Sequence, residues 1–225
     1  MAHTAEDYAP VDGPIKSAGD LKTYSPPDPD NEENYEGLRE TVGRFKGEKF
    51  IMWHARAEFM TACEMRGMAE FLMDMVTDPD LVHAVLQVVN ETYCRLAVRA
   101  IEEGADGIML GDDWAYNSGP FMSPDLFEEF ILPYFQNMVR TCKEAGGYVV
   151  KHCDGYVWPL MDMVVDAGID GMNPIEPAAG MEIATMKERY GDQICLLGNI
   201  DCGDTLSEAP VEQVKAEVKE AVRQA

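Results

Sequence analysis

The sequence is short of positive charge. Its 225 residues carry 18 Lys and Arg against 41 Asp and Glu, a net charge of −23. So acidic a surface repels phosphate backbones and anionic lipid, so neither nucleic acid nor a membrane is an expected partner. A polyanionic substrate is also disfavoured unless a local basic pocket receives it. No apolar run approaches the about 20 residues of a membrane span, and the opening MAHTAEDYAP lacks the apolar stretch of a secretory signal. There is no CxxC pair. The six cysteines (Cys63, Cys94, Cys142, Cys153, Cys195 and Cys202) are scattered, as reduced thiols are, so a cytoplasmic location is expected. No GxGxxG or GxxxxGK[ST] follows an apolar run, which removes the usual nucleotide-binding signatures of open α/β sheets.

What is present is an ordinary globular composition, 46% hydrophobic and 26% charged. Residues 1–35 read as an irregular N-terminal segment, with the breaker-rich stretch Ser25-Pro26-Pro27-Asp28-Pro29-Asp30. From residue 36 short β-type runs alternate with helical patterns. The runs are 49–55, 107–113, 148–153, 171–176 and 194–200. Helices are expected at 58–76, 79–103, 123–145, 157–167, 181–190 and from 209. Asp78 and Ser123 serve as N-caps, each followed by Pro at the first helical position. Five βα units with short connections imply a parallel sheet with helices outside it. Polar residues end several runs, which suits the C-terminal rim of a (β/α)8 barrel better than one crevice in an open sheet. The expectation is an α/β fold: residues 36–225 as a partial TIM barrel of about five βα units.

The rim supplies the candidate site. Side chains alternate along a strand, so His152 and Asp154 point together while Cys153 points away. An imidazole beside a carboxylate is half of a zinc or other divalent-metal site; it is also the ordinary arrangement of a core histidine hydrogen-bonded to a neighbour. Asp112 and Asp113 end the second run; two adjacent carboxylates there read as metal ligands, as groups that orient a cationic or hydroxylated substrate, or as acid–base groups, and equally as a helix N-cap or a loop salt bridge, with Asp112, directly at the end of the apolar run, the inward candidate. Asp113 and Trp114 follow it and are expected to touch substrate, as are His54 and Arg56 on the first strand, Glu176 on the fourth and Asn199 on the fifth. Arg56 and Lys151 are the candidate local cations. Cys202 reads either as a third metal ligand or as a free loop thiol.

Three stretches resemble the uroporphyrinogen decarboxylase superfamily, which comprises the haem-pathway decarboxylase and cobalamin-dependent methyltransferases. They are GADGIMLGDDWAYNSGPFMSPDLFEEFILPYFQNMV (104–139), KHCDGYVWPLMDMVVDAGIDGMNPIEP (151–177) and RYGDQICLLGNIDCGDTL (189–206). The resemblance implies a (β/α)8 barrel with its site at the C-terminal mouth. In the methyltransferase branch it implies zinc held by H-x-C and a later cysteine, with cobalamin on a separate corrinoid protein. Here the second position is Asp154, and the late cysteine has no counterpart. The decarboxylase branch would need no metal and would use a carboxylate such as Asp112 against pyrrole N–H groups. Its active-site tyrosine falls on Cys63, its Asp-Ser-Trp reads Asp112-Asp113-Trp114, and its N-terminal arginines have no equivalent. The expected activity is therefore metal-assisted, corrinoid-linked methyl transfer on a small methylated substrate or thiol acceptor. Porphyrinogen decarboxylation and an inactive binding fragment are the alternatives. Units of the barrel are expected to be missing before Lys49 and after Ala225. Their absence would leave sheet edges for a partner, a second copy or residues 1–35 to cover.

Overall fold

The computed structural model describes residues 12–225. Five parallel strands form one sheet: β1 (Met52–Arg56), β2 (Gly107–Gly111), β5 (Tyr148–His152), β6 (Gly171–Asn173) and β7 (Cys195–Leu196). A small antiparallel hairpin, β3 (Ala115–Tyr116) and β4 (Gly119–Pro120), rises from the end of β2. The main strands lie side by side in chain order, so the sheet is wound in one direction only. An open nucleotide-binding sheet reverses its order at a switch point; a one-way order is that of an arc of a barrel. The α/β partial-barrel expectation holds. Every strand begins or ends within a few residues of its predicted run, and the last two are shorter than expected.

Helices connect the strands. They are α1 (Glu36–Phe45), α2 (Glu58–Arg66), α3 (Met68–Thr77), α4 (Pro79–Glu102), α5 (Pro124–Leu126), α6 (Leu132–Glu144), α7 (Met161–Asp166), α8 (Ile183–Tyr190), α9 (Thr205–Glu208) and α10 (Val211–Gln224). Three of them, α4, α6 and α8, pack against the sheet. Ile51, Ala55, Ile108, Leu110, Val149 and Met172 are buried under the helices. Asp78 caps α4 by accepting from the Leu81 N–H at 3.3 Å, and Pro79 follows as expected. The predicted helix 58–76 is two helices, broken at Gly67 with φ 96°. The helix capped by Ser123 contains a π-turn, Phe127–Ile131. Its reason is Pro133, which has no N–H to bond the Glu129 carbonyl, so the ladder resets by one residue.

The opposite face of the sheet carries the alternate side chains. The strand register aligns Arg56 with Gly111, Gly111 with His152, and His152 with Asn173. These four residues form one row at the C-terminal end of the sheet.

Candidate metal centre

His152 ends β5 on that row. Its Nδ1 lies 2.6 Å from the Asn173 Oδ1 on the next strand. A carbonyl oxygen only accepts, so Nδ1 carries a proton, and in the neutral imidazole the Nε2 lone pair points away from Asn173. Nε2 faces two carboxylates, Asp113 Oδ1 and Asp154 Oδ2, each at 3.9 Å. The ligand atoms of the three residues lie no more than 4.8 Å from one another. The Asp154 backbone N–H donates to Asp113 at 2.9 Å, tying the β2 and β5 loops together. Burial and the Asp113 charge push the Asp154 carboxyl above its ordinary range. Two acids held side by side repel, and a cation between them would relieve that repulsion.

This donor set fits a divalent metal. One imidazole and two carboxylates suit zinc or a harder cation at bond lengths of about 2.0–2.2 Å, which small side-chain rotations reach. Three protein ligands with one open side match catalytic rather than structural sites. The Nδ1–Asn173 bond is the outer contact that a metal-ligating histidine ordinarily makes.

The other candidates fall in different places. Asp113, expected to touch substrate, joins His152 and Asp154 in the cluster. Asp112, expected to point inward, is instead buried beneath the sheet at 2% exposure. Its carboxylate accepts from the backbone N–H groups of Phe59 (2.9 Å) and Met60 (2.6 Å) and from Trp114 Nε1 (2.8 Å). It therefore caps the start of α2 from a distance. Trp114 is fully buried against Phe127 and Phe135, so it builds the core and does not meet substrate. Lys151 is also fully buried; its Nζ donates to the Asp112 and His152 carbonyls and lies 3.8 Å from the centre of the Trp114 ring. It stiffens the loop beneath the cluster and offers no charge at the mouth.

His54 lies on the cluster's face of the sheet. A Cβ on Gly111 would lie 2.3 Å from its Nε2, so glycine there lets the imidazole lean across β2. Burial, then the neighbouring His152, Arg56 and Lys151, hold its pKa below the ordinary value. Arg56 pairs with Glu64 of α2 and turns away from the cluster. Glu176 accepts from the Gly155 N–H at 2.7 Å and so holds the loop after Asp154. Asn199 donates to the Ile175 and Met181 carbonyls at 2.5 and 2.8 Å, bracing the loop after β6. Cys202 is exposed and outside the cluster. Cys63 is fully buried, and burial pushes its thiol well up.

The sequence profile described as Uroporphyrinogen decarboxylase (URO-D) matches residues 3–225. A curated uroporphyrinogen decarboxylase from Chlorobaculum tepidum is 27% identical over 150 residues, covering 67% of this chain and 40% of that protein. The methylcobamide:CoM methyltransferase MtaA of Methanosarcina barkeri is 29% identical over 161 residues, covering 72% of this chain and 45% of that one. Among solved structures, a methyltransferase from Methanosarcina mazei superposes with a TM-score of 0.76 at 26% identity, over 85% of this chain and 55% of its own. The chain thus spans about half the length of these relatives. With a profile match over almost its whole length and a one-way sheet that superposes on a relative's, the chain belongs to the uroporphyrinogen decarboxylase (URO-D) family.

Proposed function

We propose that the chain is the metal-binding part of a metal-assisted methyltransferase that works with a corrinoid protein. The observation that carries this reading is the Asp113–His152–Asp154 cluster, with the His152 tautomer set by Asn173. The methyltransferases among its relatives support it. Zinc or another divalent ion held there would supply Lewis acidity, polarising the oxygen of a methylated substrate or lowering the pKa of a thiol acceptor. The chain's own residues hold the site in shape. Asn173 accepts from Nδ1 and so aims Nε2 at the two carboxylates, Asp113 fixes the 154 backbone, and Glu176 fixes the 155 backbone. His54, on the same face with its pKa held down, stands unprotonated at neutral pH. It is the candidate group to accept a proton from, or hydrogen-bond to, a bound substrate. The hard oxygen-rich ligand set favours an oxygen-bound methyl donor over a thiol. The test is metal content and methyl transfer to Co(I) corrinoid by the longest reading frame containing this chain. No bound metal, together with unchanged transfer in His152→Ala, would sink the proposal.

A second reading, porphyrinogen decarboxylation, rests on the decarboxylases among the relatives. It would need a carboxylate other than Asp112 to face the pyrrole N–H groups, since three protein N–H donors already engage that one. Chromatography for decarboxylated porphyrinogen after incubation with uroporphyrinogen checks it.

A further inference from the structure

Charge is unevenly shared between the two signs at the end of the sheet that carries the cluster. The segments that follow the five strands, residues 57, 112–123, 153–157, 174–182 and 197–204, contain no lysine or arginine. They carry Asp113, Asp154, Glu176, Glu182, Asp201 and Asp204, besides the buried Asp112. Two cations stand on the strands themselves, and both are engaged. Arg56 pairs with Glu64. Lys151 is fully buried and donates to the Asp112 and His152 carbonyls. The amide donors at the start of α2, which a bound anion could have used, already hold the Asp112 carboxylate.

Glu176 is the carboxylate beside the cluster that is not part of it. Its Oε2 accepts from the N–H of Gly155, the residue after Asp154, at 2.7 Å. Its charge acts on the Asp154 carboxyl, pushing it up after burial and Asp113. A divalent ion would match the charges of Asp113 and Asp154 and leave that of Glu176 over. Glu176 is partly exposed, so a ligand can reach it. On the loop after β7, backbone N–H groups of Asp204, Gly203 and Thr205 hold the Asp201 carboxyl below its ordinary range, which keeps a further negative charge on this rim at neutral pH. A rim of one sign draws in cations and repels anions before any contact is made.

We propose that the substrate of this site carries a positive charge, as a small quaternary-ammonium or protonated-amine compound does, and that Glu176 is the counter-ion that selects it. The proposal rests on the metal-centre reading above and names the charge class of its substrate. The oxygen or sulfur of the substrate would reach the metal while its ammonium group faces Glu176. An anionic substrate of the same size would meet Glu176 with no free lysine or arginine on these loops to offset it. Glu176 is thereby a specificity-determining residue as well as the holder of the Gly155 backbone.

The experiment is titration of the cobalt(II)-loaded whole chain with three thiols that share a two-carbon arm: thiocholine, 2-mercaptoethanol and 2-mercaptoethanesulfonate. Each reports its arrival on the metal by a thiolate charge-transfer band. Thiocholine should bind tightest and the sulfonate weakest. Glu176→Gln keeps an oxygen to accept from the Gly155 N–H and removes the charge. It should lower the thiocholine-to-sulfonate affinity ratio about ten-fold, because it weakens one ligand and strengthens the other. A ratio taken within one protein cancels any change in metal affinity, and comparing the two proteins cancels the thiols' own acidities. Raising the salt from roughly 0.05 to 0.5 M should shrink the wild-type ratio. Equal affinities, the sulfonate as the tightest ligand, or an unchanged ratio in Glu176→Gln would overturn the proposal. A chain that binds no cobalt would sink the metal reading and this proposal with it; bound cobalt without the charge order would sink this proposal alone.

Discussion

Glu58 is the first residue of α2, and it is wholly buried next to Asp112. One carboxylate oxygen accepts from Asn90 at 3.1 Å; the other, Oε2, has no partner. Burial first, and the Asp112 charge second, push its pKa from the ordinary 4.5 to about 7. The native state therefore keeps a proton that the unfolded chain gives up at the lower pH. Between pH 4.5 and about 7 the folded form binds more protons, so stability falls as pH rises through that window and levels off above it. At about 1.4 kcal/mol per pH unit, the interval amounts to about 3 kcal/mol. Glu58→Gln mimics the protonated acid in shape and cannot ionise. It should match the wild type near pH 4.5 and exceed it by about 3 kcal/mol at pH 8. Urea unfolding followed by circular dichroism at pH 5, 6, 7 and 8 gives both curves. Parallel pH profiles for the two proteins would show that Glu58 is ionised or solvated in the native state, and the reasoning would fail.

Other consequences concern the cluster and its supports. Asn173→Ala frees the His152 tautomer and should weaken zinc binding about 10–100-fold, read by competition with a chromophoric chelator. Trp114→Ala empties a fully buried site between Phe127 and Phe135 and should cost about 3–5 kcal/mol in the same unfolding assay. Gly155 has φ +89°, and a Cβ there would lie 2.7 Å from the Ala115 backbone. Gly155→Ala should therefore displace the loop that carries Asp154, lowering metal affinity and thermal midpoint together; an unchanged midpoint would contradict the strain argument.

How far the sequence carried depends on which rule was in play. The βα rhythm and the alternation of His152 with Asp154 were both legible, because each depends on local spacing alone. The exchange of Asp112 for Asp113 came from missing register. Ile108, Leu110 and Asp112 share one parity, and Met109, Gly111 and Asp113 the other. Nothing in the sequence says which parity of β2 faces the same way as His152 until Gly111 is seen opposite it. Once that pairing is known, Asp113 follows beside Asp154. Asn173 was missed for the same reason, being on the row of His152 but one strand away. The burial of Lys151 and Trp114 was illegible because a cation and an indole N–H become acceptable core groups only when partners at the ends of β2 and β5 converge. The one-residue reset near Pro133 was implicit in its missing N–H. The parting of α2 from α3 depended on the φ of Gly67, which spacing does not reveal.

Asp113, His152 and Asp154 are proposed to bind one divalent metal through oxygen and nitrogen alone. Cobalt(II) titration of the chain, followed by optical absorption and elemental analysis, tests it directly. One metal should bind per chain, with ligand-field bands, no thiolate charge-transfer band, and loss of binding in His152→Ala and Asp113→Ala. Retained stoichiometry in both variants, or a thiolate band reporting a cysteine ligand, would contradict it.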